Sequence, residues 1–158
     1  MTTTNLEKMS FRLNPEDWHG QQMETLWVEA LGDARNDELY VVRNSPFFAR
    51  GVSFLDIARG ERQDGSLLFS STIAGSGHST YRIICDPNSR EFSACWAKLQ
   101  NLGCTYESAT IYGKAVYTVD VPETANIKAA CEVMEEGQSE GIWIFEEAHY
   151  GRLHAAAV

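Results

Sequence analysis

Hydrophobic and polar positions alternate through the first half of the chain. Met9, Phe11 and Leu13 alternate with Ser10 and Arg12, which suits a short strand. From Glu24, ETLWVEAL places Leu26, Val28 and Ala30 on one face and Thr25, Trp27 and Glu29 on the other. That is a half-buried strand, ended by Gly32 and Asp33. Leu39 to Val42 is a β-branched and aromatic run typical of a buried strand, and Asn44-Ser45-Pro46 stops it. Phe47, Phe48, Val52, Phe54, Leu55 and Ile57 follow, broken by Gly51. Asp64-Gly65 is a hairpin signal, and Leu67-Leu68-Phe69 begins the return strand. No helical period occurs between residues 9 and 74. The pattern predicts about five short strands, forming a small barrel or a strongly curved sheet.

Beyond Gly75-Ser76-Gly77 the pattern changes. Tyr81, Ile83 and Cys85 alternate as a strand. Asp86-Pro87-Asn88-Ser89 supplies helix-start residues, and Phe92, Cys95, Trp96, Leu99 and Leu102 recur at helical spacing up to Gly103. Cys104, Tyr106 and Ser108 begin another strand, and Gly113 turns the chain into Val116 to Val121. Ile127, Ala130, Cys131 and Met134 form a second amphipathic stripe, capped by Thr124 or Asn126 and stopping near Gly137 to Gly141. Ile142 to Phe145 is a final strand. The order strand, helix, strand, strand, helix, strand is that of a ferredoxin-like unit, whose helices cover one face of a four-stranded antiparallel sheet.

The fold class expected is α+β, with a barrel-like half over residues 9–77 packed on a ferredoxin-like half over 78–150. Residues 1–8 and 151–158 read as tails. Arg43 to Arg82 is the junction, and Gly75 to Ser79 should lie at the surface between two strands. Trp96, on the apolar stripe of the first helix, should be buried.

Charge narrows the partners. A net charge of -9 over 158 residues disfavours nucleic acid and anionic membranes, both of which recruit lysine and arginine. A basic protein partner, or solubility alone, is what it leaves. Cys85, Cys95, Cys104 and Cys131 form no CxxC pair and sit in apolar segments, so they read as small core residues in a reducing compartment. The N-terminal MTTTNLEKMS lacks the apolar run of a signal peptide, so a cytoplasmic location is expected. No cofactor and no metal are expected.

Three constellations could carry chemistry. Ser76, His78 and Ser79, with Arg82 beyond them, offer hydroxyls, an imidazole and a close backbone approach. His78 is the one catalytic candidate, since an unperturbed imidazole can act as base or acid. A hydrogen-bonded turn tying the halves together, a ligand contact and catalysis all fit this loop. Asn44, Ser45 and Phe48, with Arg50 and Asp56, form the second group. Phe47 and Phe48 point to opposite sides of an extended chain, one into the core and the other toward a groove between the halves.

The third group is acidic. Eight carboxylates fall between Asp120 and Glu147, against Lys128 alone. Glu132, Glu135, Glu136 and Glu140 share the second helix, where like charges repel, so they read either as a partner-binding face or as a solvated surface. Glu146 and Glu147 are adjacent on a strand and point apart, which makes them a poor metal pair.

The blocks NSPFFARGVSFLDIA, SGHSTYR and LGCTYE, followed by VDVP and WIFEEA, resemble the DUF4265 family, a bacterial domain of unknown function. The resemblance covers roughly residues 9 to 150 and implies a compact cytoplasmic protein. It brings no catalytic residues with it. The leading expectation is a non-enzymatic protein that binds a protein partner through its acidic surface, a role that an inhibitor or immunity protein would fill. The alternative is a ligand-binding or enzymatic domain using a cleft around His78.

Overall fold

The computed structural model describes residues 5–32 and 38–151. Nine strands and two helices make up those residues, in two sheets. The first sheet contains β1 (Leu6–Arg12), β2 (Met23–Ala30), β3 (Leu39–Val42), β4 (Ile57–Gln63) and β5 (Ser66–Ala74). Neighbours run antiparallel, and an odd number of up-and-down strands brings the last back parallel to the first. Met9 of β1 pairs with Leu67 of β5, which closes the ring.

Its interior is the apolar set that alternation selects: Met9, Phe11, Leu26, Val28, Tyr40, Val42, Ala58 and Leu67. Gly60 faces this interior without a side chain, because Met9 Cε and Leu67 Cδ1 lie 2.7 and 2.8 Å from where its Cβ would stand. Asp64 and Gly65 both adopt positive φ at the β4–β5 turn, as the Asp-Gly signal requires. β1 starts at Leu6 rather than Met9. Leu6, Glu7 and Lys8 continue the ladder against Glu29, Val28 and Trp27, so residues 6–8 are strand and not tail.

The second sheet has the order β7-β8-β6-β9, from β6 (Ser79–Cys85), β7 (Thr105–Ile111), β8 (Lys114–Val121) and β9 (Ile144–His149). Helices α1 (Phe92–Asn101) and α2 (Ile127–Ser139) bury one face of it. Tyr81, Ile83 and Val119 from the sheet meet Trp96, Leu99, Ile127, Ala130 and Met134 from the helices. Trp96 is buried, as its place on the stripe predicts.

Boundaries differ where tertiary contacts decide them. Asn126 caps α2 by accepting from the Ala129 N–H at 3.1 Å, and the helix ends at Ser139, within the Gly137 to Gly141 stretch where a stop is expected. The indole of Trp143 packs on Gly137, where any side chain would collide with it. The amides of Ile142 and Trp143 donate to Gly137 O, which delays the strand to Ile144 and carries it on to His149. α1 starts after Glu91, whose side chain makes no cap bond; Asp86 instead accepts from the Asn88 N–H in the preceding turn.

Candidate functional site

The face of the second sheet turned away from the helices carries Thr80 and Arg82 from β6, Thr118 and Asp120 from β8, and Glu146 from β9. The loop from 43 to 56, between β3 and β4, lies across it. What positions the loop is a carboxylate inside the barrel wall. Alternation puts Glu24 on the buried face with Leu26 and Val28, and a charge there needs partners. It finds three consecutive amides, those of Phe47, Phe48 and Ala49, at 2.6, 3.0 and 2.8 Å.

With its amides turned toward the barrel, the loop presents carbonyls to the sheet. Thr118 Oγ1 donates to Pro46 O at 2.6 Å, and Arg82 Nη2 donates to Ala49 O. The Arg82 side chain is fully buried, and burial lowers its pKa against the opposing pull of Glu146. Its Nη1 donates to Glu146 Oε1 at 2.9 Å, while its Nε has no partner among the described residues. Glu146 also accepts from Arg50 Nη2 at 2.9 Å and Trp18 Nε1 at 3.2 Å, so one carboxylate gathers donors from both halves.

Further along the loop, Ser53 is fully buried. Its Oγ lies 2.7 Å from both Thr80 Oγ1 and His149 Nδ1. A serine beside a histidine is the geometry of an activated nucleophile, but a substrate has no path to a hydroxyl buried among protein groups. The pair serves as a pin. Asp56, also buried, accepts from the Ser53 amide at 2.9 Å and from the Ser76 amide and hydroxyl at 2.8 and 3.0 Å.

The predicted loop around His78 is drawn into the same junction. His78 Nδ1 lies 2.9 Å from both carboxylate oxygens of Asp120, and its ring meets the edge of Phe54 at 5.5 Å. Ser79 Oγ accepts from the Gly151 N–H at 2.8 Å. Gly75 is exposed, but Gly77 and Ser79 are buried, so Gly75 to Ser79 is only partly a surface segment. Gly151 packs directly on the Gly77 backbone, and the Glu123 side chain covers it as well.

One cleft of about 270 Å³ opens beside this network, between the loop and strands β7 and β8. Asn44, Ser45, Phe54, Thr105, Glu107 and Asp120 line it. Asn44 and Ser45 therefore reach the cleft; Phe48, Ser76, His78, Ser79 and Arg82 do not line it. Phe48 lies tilted against the His19 ring at 4.7 Å and approaches Trp18, outside both cores, and Phe47 is likewise half-buried. Asn44 Oδ1 accepts from the Trp27 amide, and desolvation raises the Glu107 carboxyl above its usual range. A larger open depression of about 650 Å³ lies at the other end of the sheet, bounded by Arg90, Lys114 and Trp143.

The acidic residues do not form one surface. Asp120 and Glu146 belong to the junction, whereas Glu132, Glu135, Glu136 and Glu140 are exposed along α2 and its C-cap. Glu136 is held by Lys98 Nζ at 2.8 Å. Among the described residues no cluster of three or more His, Cys, Asp or Glu side chains could hold a metal ion, and no helix is long and apolar enough to cross a membrane.

Sequence patterns do not single out Ser53 or Thr118, because each owes its role to a partner distant in the chain. Glu24 was detectable as the one charged position in an apolar alternation.

A family model described as a domain of unknown function, DUF4265, matches residues 24–145. That span holds the NSPFFARGV and SGHSTYR blocks. No curated protein matches the chain. Among solved structures, a hypothetical protein from Neisseria gonorrhoeae is similar at a TM-score of 0.69 and 17% identity, over 96% of this chain and 98% of that one. At that identity the likeness is one of fold alone.

Proposed function

The chain belongs to the DUF4265 family, a domain of unknown function, so its role has to come from its own residues; we propose that it is a non-enzymatic binding protein engaging a basic protein partner through the carboxylates of α2. One observation carries this reading: Glu132, Glu135, Glu136 and Glu140 all stand exposed on the helix layer, and among the described residues only Glu136 has an ion-pair partner, Lys98. An inhibitor or immunity role in a bacterial cytoplasm suits such a surface. Burial pushes the Cys104 thiol up to about 12, which keeps it protonated and makes it a poor nucleophile. In the same reading the second half is ferredoxin-like, supported by its strand order and one-sided helices, and the first is a small barrel.

The test is a pull-down from the native host followed by titration of the captured partner. Changing the four glutamates together to glutamine should weaken association and remove its salt dependence, because steering between exposed charges is screened within about 8 Å at physiological ionic strength. His78→Ala should leave that complex intact. Unchanged binding by the quadruple variant would refute the acidic-face reading.

A second reading is favoured by the cleft lined by Glu107 and Asp120, where a small ligand would reach His78 only through its partner Asp120. Loss of binding or activity in His78→Ala, with the quadruple variant unaffected, selects it.

A further inference from the structure

The two edges of the second sheet are treated differently. Along β9 the outward backbone groups are occupied: Ala148 O accepts from the Gly51 N–H at 3.3 Å, and Glu147 O from Arg50 Nη1. The Phe145 N–H donates to Gln138 Oε1 at 3.2 Å. Along β7, at the opposite edge, nothing among the described residues bonds to the outward backbone groups. Thr105, Tyr106, Glu107, Ser108 and Thr110 are all exposed.

Which groups point outward follows from the hairpin. Tyr112 and Gly113 take φ of 52° and 76°, a tight turn that makes Ile111 and Lys114 a hydrogen-bonded pair. Bonded and unbonded pairs then alternate along the ladder, so the amides and carbonyls of Thr110, Ser108 and Tyr106 face away from β8. Exposed edges are ordinarily blunted by lysine, proline, a bulge or a cover. The strand TYESATI has no proline, glycine or lysine, and its pairing with β8 shows no bulge.

We infer that β7 is a docking edge for a second copy of this chain, paired antiparallel about a two-fold axis at Ser108. In that register Ser108 faces Ser108 of the other copy, and Tyr106 faces Thr110, so every outward amide finds a carbonyl. The side chains agree. Tyr106 against Thr110 is an aromatic–β-branched pair, and Glu107, the one charge on the strand, falls opposite Ala109 and not its own image. This pairing is independent of the acidic α2 face and has the opposite salt dependence. Two chains of charge -9 repel, so added salt strengthens self-association while weakening a complex with a basic partner.

Sedimentation equilibrium of the full chain, over about 10 μM to 1 mM in about 1 M salt where the Debye length is about 3 Å, should show concentration-dependent doubling of mass. Ser108→Cys should form an interchain disulfide under mild oxidation, since a hydrogen-bonded antiparallel pair holds its Cα atoms about 5.5 Å apart, within disulfide range. Thr110→Cys should not, because its image lies several residues away. Ser108→Pro removes an outward N–H that β8 does not use and should abolish the dimer while leaving far-ultraviolet circular dichroism unchanged. Should the proline variant fail to fold, the cysteine pair still decides. A chain that stays monomeric throughout overturns the proposal. So does a dimer in which Ser108→Cys fails to crosslink, or a monomer that pairs β7 only with an unrelated extended peptide.

Discussion

Replacing Gly137 with alanine sets helix propensity against packing, and the two predict opposite signs. In an isolated helix the change stabilises by about 1 kcal/mol, because alanine loses less backbone freedom on folding. Here a Cβ at Gly137 would stand 2.3 Å from Trp143 Cε2 and 2.5 Å from its Nε1. Carbon atoms in contact sit about 3.5 Å apart, so the indole must retreat by about 1.2 Å. It is buried against Phe92, and its Nε1 donates to Met134 O at 2.9 Å. That retreat lengthens the bond beyond hydrogen-bonding range and leaves both groups buried. Overpacking costs about 2 kcal/mol and the orphaned pair about 2 more, against the 1 gained. A net loss of about 3 kcal/mol is expected, seen in urea unfolding followed by circular dichroism. For a chain of this size the melting temperature should fall by about 6–12 °C. Adding Trp143→Phe, whose smaller ring clears the methyl, should return part of the loss relative to Trp143→Phe alone. An alanine variant as stable as the parent, or more so, would refute the packing account.

Trp96→Ala should cost about 3–5 kcal/mol in the same assay; a loss under about 1 kcal/mol would mean the α1 stripe does not seat against the sheet. Glu146→Gln leaves Arg82 buried without its counter-charge and should destabilise by about 3 kcal/mol. Adding Arg82→Met should recover most of that, and failure to recover would show that the junction depends on more than the ion pair. Glu107→Gln tests the raised carboxyl. A carboxyl held above its usual pKa favours the protonated form in the fold, so its contribution stabilises below that usual value and is lost as pH rises through the folded value. The glutamine variant should therefore melt higher than the parent at neutral pH and converge with it near about pH 3; a constant offset at both would contradict the desolvation.

The strands of both halves and the two helices were legible because their signals are local. Period-two alternation marked β1, β2 and β6, Asp-Gly marked the β4–β5 turn, and the stripes of α1 and α2 identified the helices. Ends set by distant contacts were not legible. Ile142 looks like the start of the last strand until its amide and that of Trp143 are seen bonded to Gly137 O, and residues 6–8 look like a tail until β2 is there to pair with them. The site was half legible. His78, Arg82, Asn44 and Ser45 stand out as polar residues in turn-rich stretches, but their neighbours Glu146, Thr118 and His149 come from strands that give no such signal. Sequence spacing also cannot say whether a polar group is available. His78 is committed to Asp120, and Arg82 to Glu146 and Ala49, before any ligand arrives.

The pinning of Ser53 by His149 has a temporal side. The two are separated by 96 residues, so the hydroxyl and its partner leave the ribosome about 5–20 seconds apart at ordinary rates of synthesis. Glu24 can gather the amides of residues 47–49 early and Arg82 can reach the Ala49 carbonyl once β6 is made, but Arg50 and the Ser53–His149 contact must wait for the last strand. The nascent barrel therefore emerges with an unfinished loop, its polar groups served by water until β9 arrives. A release or stall before Glu146 leaves a closed ring of strands carrying an unanchored flap, with Arg82 lacking its counter-ion. Truncated chains of this kind should be the ones that proteases find first.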